Sequence, residues 1–187
     1  MTNSRKICKS HRNYIDDGSI DKNSYLDNES NDAKQSRGKS KLKIACLNVR
    51  SLYNKVDQLH VLVDNHQFDI VCVNETWLDD SIDNAEISIP SYSIVRKDRN
   101  RNGGGVCFYV KDTIQYRFEN DQFGNAIESL WLSVKQKHYY LVIGTIYRPP
   151  NSNSEYHSNI LNEIQRAKDF SEHVLVLGDL SYDCCKN

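Results

Sequence analysis

Apolar residues are sparse over positions 1–40 and dense from Lys41 onward. Positions 43–48, Lys43-Ile44-Ala45-Cys46-Leu47-Asn48, read as a strand that ends on a polar residue. Leu52, Val56, Leu59 and Val63 then recur at helical spacing behind Ser51, a residue type suited to an N-cap. The run over 68–73 is apolar throughout, the mark of a strand buried on both faces. These segments predict a β-α-β opening whose two strands end in Asn48 and in Asn74-Glu75. Segments 92–97, 105–111, 113–118, 129–135 and 139–147 are rich in β-branched and aromatic residues with short polar breaks, which predicts antiparallel hairpins. Tyr156, Ile160, Ile164 and Ala167 lay an apolar stripe along a second helix, and 174–177 is a final buried strand. The sum is an α/β domain with mixed sheet pairing and no internal repeat.

Composition changes this picture at one end only. The mean hydropathy of -0.66 is low for a compact domain, and the first 40 residues are dominated by Asn, Ser, Asp, Lys and Arg. Such a segment buries too little apolar area to offset its ordering entropy, so 1–40 reads as a disordered polar leader and 41–187 as the folded domain. A net charge of -1 gives no global attraction to nucleic acid, so any such binding needs a local patch. The six cysteines include no C-x-x-C, and no histidine stands at zinc-finger spacing, which argues against a structural zinc site. Cys46, Cys72 and Cys107 sit inside apolar runs, where a free thiol acts as a small hydrophobe. No apolar segment suits a signal peptide or a membrane span. The expectation is an intracellular protein, nuclear or cytoplasmic, that is not secreted.

The chemistry concentrates at predicted strand ends. Asn48, Glu75, Tyr147 and Asp179 each stand at or near a predicted strand end, and functional residues gather at such ends in α/β folds. Hard cations prefer oxygen donors and keep several waters, so Glu75 and Asp179 are candidates to hold a metal and a water. Asn48 and Tyr147 can hydrogen-bond a phosphate. The basic run from Arg96 to Arg101 is either a DNA-phosphate contact or a solvated hairpin loop. The triple glycine 103–105 leads into a strand rather than a helix, so it reads as a tight turn and not as a phosphate cradle. Trp77 is placed to pack under the Glu75 loop, and Trp131 lies in the core of its strand.

Five stretches in order, LNVRSL (47–52), NETWL (74–78), GGGV (103–106), YRPPN (147–151) and LGDLSYD (177–183), resemble the endonuclease/exonuclease/phosphatase superfamily. The likeness is greatest to the apurinic-type endonuclease domain of non-LTR retrotransposons. The resemblance implies a four-layer α/β sandwich, two mixed sheets flanked by helices, of which this chain carries the N-terminal two-thirds. It also implies Mg²⁺, or Mn²⁺, as cofactor and DNA as the partner of the parent domain, with no membrane partner and a reverse transcriptase region in a full-length relative. By the same resemblance Glu75 is the metal ligand, and Asn48 positions metal and phosphate. Tyr147 donates to a phosphate oxygen, and Asp179 orients and deprotonates the attacking water. Arg50, Arg148 and Asn151 are the implied substrate-binding residues, and Ser181 completes the catalytic set.

Departures from the family pattern carry expectations of their own. Where the family reads Gly-Asp-x-Asn, this chain has Gly178-Asp179-Leu180-Ser181, and a serine hydroxyl is too short to replace the amide. Losing one such contact typically costs roughly 10²–10³ in rate. Arg50 stands where abasic-site repair enzymes carry a metal-binding Asp. Asn151 comes four residues after Tyr147, one more than in those enzymes. The family's terminal Asp-His pair has no counterpart, His173 reading as a solvated loop residue. Truncation after the Gly-Asp motif is therefore expected to impair nicking and to leave an inner sheet face uncovered. Two alternatives stay open: a non-catalytic retroelement remnant, and a same-fold phosphatase or phosphodiesterase acting on another phosphate ester.

Overall fold

The computed structural model describes residues 41–180. The leader over 1–40 and the segment holding Ser181, Cys184 and Cys185 lie outside the described residues. Strands β1 (Ile44–Asn48) and β2 (Ile70–Asn74) pair in parallel and are joined by helix α1 (Val56–His66), as the β-α-β pattern predicts. Strands β3 (Tyr92–Lys97) and β4 (Val106–Lys111) form an antiparallel hairpin, and β4 also pairs antiparallel with β2. The first sheet therefore runs β1-β2-β4-β3. The second is an antiparallel meander of β5 (Tyr116–Phe118), β6 (Glu128–Lys135) and β7 (Tyr140–Tyr147). Helix α3 (Ser154–Phe170) then crosses over to β8 (Val174–Asp179), which pairs in parallel with β7. A one-turn helix α2 (Asn120–Phe123), which no periodicity announces, sits between β5 and β6.

The period-two alternation of the strands sorts the apolar residues into three layers of contact. Ala45, Leu47, Val71, Val73, Cys107 and Tyr109 face α1, meeting Leu59, Leu62 and Val63. Ile70, Cys72, Val106, Phe108 and Val110 face Leu130, Leu132, Ile143 and Leu177 of the other sheet. Trp131, Val142 and Ile146 on the far side meet Phe123, Ile160 and Ala167. Helix, sheet, sheet, helix: the four layers are those of the expected sandwich. Trp131 is fully buried as its strand position predicts, and His173 is exposed as expected. Among the described residues no helix is long and apolar enough to cross a membrane.

Two expectations are corrected. Ser51 is not the cap of α1. Its φ of 76° puts it in the left-handed region, and a 3-10 turn over Tyr53–Lys55 intervenes before the helix begins. Nor is a sheet face left bare, because the two four-stranded sheets cover one another and their facing side chains are buried. The open features are edges. Among the described residues β1 and β8 each have a single strand neighbour, and they lie in contact along one flank of the sandwich.

Candidate active site

The alternation that fills the core continues to the strand ends, and there it delivers polar groups. Asn48 follows Cys46 by two residues, Asn74 follows Cys72, Tyr147 follows Thr145 and Asp179 follows Leu177. All four therefore turn toward the gap between the sheets at the same end. Register aligns them in pairs: Asn48 lies opposite Asn74, and Tyr147 opposite Asp179. Gly178 makes the second pairing possible. Its φ is +122°, and a Cβ there would run into the Ile146 carbonyl of the neighbouring strand.

Glu75 arrives by a different device. Among the described residues, four of the six non-glycine residues with positive φ, Arg50, Ser51, Glu75 and Trp77, stand in the two loops that follow β1 and β2. Each such residue costs on the order of 1 kcal/mol and persists only where its surroundings over-determine it. Here the backbone is laced on both sides. Ser51 N–H donates to the Glu75 carbonyl at 2.9 Å and Leu52 N–H to the Thr76 carbonyl at 2.9 Å. Across from them, Thr76 N–H reaches the Gly105 carbonyl at 3.3 Å and Trp77 N–H the Gly104 carbonyl at 3.0 Å. The triple glycine thus serves as a turn that presents carbonyls to the Glu75 loop. Trp77 is half-buried in that loop.

The two carboxylates meet through one side chain. Asn48 Nδ2 donates to Glu75 Oε1 at 2.9 Å and to Asp179 Oδ2 at 3.1 Å. The two oxygens are therefore no farther apart than about twice a hydrogen-bond length. This contact joins the edge strands of the two sheets across 131 residues of sequence. Asn48 Oδ1 is buried and has no hydrogen-bond partner. Arg50 lies over the pair, its Nε 3.8 Å from Glu75 Oε2, with the guanidinium side chain 45% exposed.

Tyr147 is buried beside them. Burial first, then the negative charges of Glu75, Glu128 and Asp179, push its hydroxyl up to about 12, against a smaller opposing effect of Arg99. Its proton therefore stays in place across the physiological range, and the group is a donor. The Tyr147 main chain is pinned by Tyr156 of α3, whose hydroxyl donates to the Tyr147 carbonyl at 2.9 Å and accepts from Glu128 N–H at 2.9 Å. Glu128 in turn accepts from Gly105 N–H at 2.8 Å and from Arg99 Nη1 at 3.2 Å.

The sequence-predicted residues divide accordingly. Asn48, Glu75 and Asp179 are brought into direct contact, with Tyr147 at their side. Arg50 touches the cluster through Glu75. Arg148 is half-buried at its margin, its N–H donating to the Asp179 carbonyl at 2.8 Å. Asn151 is exposed on the loop before α3, and no hydrogen bond joins it to Asn48, Glu75 or Asp179. Ser181 falls outside the described residues. The basic run is mostly used within the protein. Arg96 holds the Ile82 carbonyl, Lys97 the Asn125 and Ile127 carbonyls, and Arg99 pairs with Glu128.

Sequence reasoning missed Asn74, Glu128 and Tyr156 as parts of this assembly. Asn74 is buried and clamps the sheets together. Its Nδ2 donates to the Ile146 carbonyl at 3.1 Å, and its Oδ1 accepts from Thr145 Oγ1 at 3.1 Å. Its strand-end position beside Glu75 was the only available signal.

The donor set bears directly on a metal. Among the described residues no group of three or more His, Cys, Asp or Glu side chains gathers for one. Two adjoining carboxylates and a buried amide oxygen with no partner nevertheless fit a hard divalent cation, which is usually held by one or two carboxylates and keeps most of its waters.

A family model described as Endonuclease/Exonuclease/phosphatase family matches residues 45–186. No curated protein matches the chain in sequence. Among solved structures, the endonuclease domain of TRAS1, a telomere-specific non-LTR retrotransposon, superposes with a TM-score of 0.56 and 11% identity, over 75% of this chain and 61% of that one. The 3′ phosphatase NExo from Neisseria, bound to a product DNA hairpin, gives 0.56 and 15%, over 74% and 57%. The mannosyl-6-phosphatase Bt3783 from Bacteroides thetaiotaomicron gives 0.55 and 14%, over 79% and 68%. Identities this low speak for the fold alone. The chain spans 61% and 57% of the first two of these structures.

Proposed function

This chain belongs to the endonuclease/exonuclease/phosphatase family, and from that membership we propose that it is a divalent-metal-dependent phosphodiesterase of the non-LTR retroelement type that nicks DNA. The observation that carries the proposal is the Asn48 amide joining Glu75 to Asp179 across the two sheets. Family members are nucleases and phosphatases, so the reaction class is hydrolysis at phosphorus. The finer reading, DNA as substrate, draws support from the retroelement motifs NETWL and YRPP.

Each residue then has a chemical task. Glu75 and the carbonyl oxygen of Asn48 would hold the divalent cation, which when bound supplies Lewis-acid polarisation of the phosphate. Asp179, an acceptor oriented by the Asn48 amide, takes the proton of the attacking water. Tyr147 donates its retained proton to a phosphate oxygen, where negative charge grows in the transition state. Arg50 lies beside Glu75 and offsets the charge of an incoming phosphate, which two neighbouring anions would otherwise repel. Arg148, joined to Asp179 through its main-chain N–H, is assigned to the same task by the resemblance. Ser181 stands in place of the family's Asn, so slow turnover is expected.

Plasmid nicking by the full chain tests the reading. Relaxation of supercoiled DNA should require Mg²⁺ or Mn²⁺, leave extendable 3′-hydroxyl ends and disappear in Glu75→Gln. Nicking that persists in that variant or in chelator would refute the assignment. Hydrolysis of sugar or inositol phosphates without nicking would shift the substrate while keeping the site.

A further inference from the structure

Tyr53 and Arg101 face each other across the rim of the site, and neither belongs to the set that handles the phosphate. Tyr53 opens the 3-10 turn directly after the Arg50–Leu52 segment that is laced to Glu75 and Thr76. Arg101 lies in the turn before Gly104 and Gly105, which are laced to Thr76 and Trp77 from the other side. The two side chains thus bridge the loops that flank Glu75. The Arg101 guanidinium carbon stands 5.6 Å from the centroid of the Tyr53 ring. That is near the outer limit of a cation–π contact, so the pairing is loose and displaceable.

Tyr53 is 39% exposed and absent from every core cluster of the described residues. The ring is partly uncovered and stands on the loop laced to Glu75, where a bound chain could reach it. Its hydroxyl donates to Glu86 Oε2 at 3.3 Å. That bond anchors the phenol edge, so the ring offers its face. Arg101, unlike Arg96, Lys97 and Arg99, holds no carbonyl or carboxylate by a hydrogen bond or ion pair among the described residues: it lies over the ring, stays exposed, and its charge is felt at Asp79.

We propose that Tyr53, with Arg101, is a nucleobase subsite: a base of the nucleotide flanking the bound phosphate stacks on the Tyr53 ring, and Arg101 moves from the ring to the backbone. Every base has a π-face, so such a platform is tolerant of sequence and selects nucleic acid over sugar or inositol phosphates. The platform rests on the phosphodiesterase reading above and names the part of the substrate which that reading leaves open.

Binding, not cleavage, tests it. Fluorescence anisotropy of the full chain is measured in chelator against two labelled oligonucleotides of equal length. One is an unpaired mixed-sequence strand, and the other is the same backbone with every base replaced by an abasic residue. Tyr53→Leu should weaken the base-bearing strand by roughly tenfold, the lower part of what stacking on one aromatic contributes. The abasic strand should bind the variant as it binds the parent chain, and Tyr53→Phe should restore the first affinity. Equal losses on both strands, or no loss on either, would overturn the platform. Retained binding of the abasic backbone by the parent chain keeps the phosphate site apart from that outcome, and plasmid nicking reports on the catalytic reading separately.

Discussion

Replacing Asn48 by Ala removes the amide that joins Glu75 to Asp179. In the parent chain one amide group gives two charge-assisted hydrogen bonds, at 2.9 and 3.1 Å, and each such bond contributes about 1.5–3 kcal/mol. Without it, two negative oxygens about 6 Å apart at most repel by about 3 kcal/mol at an effective dielectric of about 20. Both terms shrink on relaxation. Glu75 is 13% exposed and keeps Arg50 nearby, and Asp179 is half-buried, so both can rotate toward water or a cation. A net loss of about 2 kcal/mol remains, equivalent to about 5 °C in Tm for a domain of this size. Urea unfolding followed by the fluorescence of buried Trp131 should show this loss in chelator and a smaller one in Mg²⁺, because a bound cation relieves the repulsion. A double-mutant cycle with Asp179→Asn should return a coupling of about 1 kcal/mol or more between residues 131 apart in sequence. A loss below about 0.5 kcal/mol, the range of an ordinary surface substitution, would refute the bridge as the element that assembles the site.

Four further outcomes follow from the same geometry. Tyr147→Phe should lower nicking by roughly 10²-fold with little change in stability, as for the loss of one transition-state donor. Because the Tyr147 hydroxyl is raised from 10.0 to about 12, its stabilising effect is complete below pH 10 and is lost as pH climbs toward 12, which tyrosinate absorbance will follow. Asn74→Ala should cost about 2–3 kcal/mol in urea unfolding, since it strands the buried Ile146 carbonyl and Thr145 hydroxyl between the sheets. Glu163 of α3 is buried beneath Trp131, accepting from Ser129 Oγ at 2.6 Å and Trp131 Nε1 at 2.9 Å, and burial pushes its carboxyl pKa above the usual carboxylate range. Its contribution is present in acid and lost as pH rises through the folded value, so Glu163→Gln, measured by unfolding across pH, should flatten that decline.

Much of this protein could be read along the chain because strand and helix periodicities are local. The apolar runs located the eight strands and both long helices of the described residues, and the alternation that turns Cys46 and Cys72 toward the facing sheet also decided which face Asn48 and Asn74 would take. The motifs picked out Asn48, Glu75, Tyr147 and Asp179 at or near strand ends, and the fold gathers these four at one end of the sandwich. Tertiary structure decided the rest. Ser51 has a cap's chemistry but is held in a left-handed turn by the Glu75 carbonyl, a partner 24 residues away that no local rule supplies. That Asn48 would join two carboxylates, that Asn74 would clamp the sheets and that Tyr156 would pin Tyr147 all depend on how two sheets and a crossover helix stack. Propensity acts within a few residues, whereas a site assembled between sheets is fixed by packing distances, and those exist only once both sheets are in place.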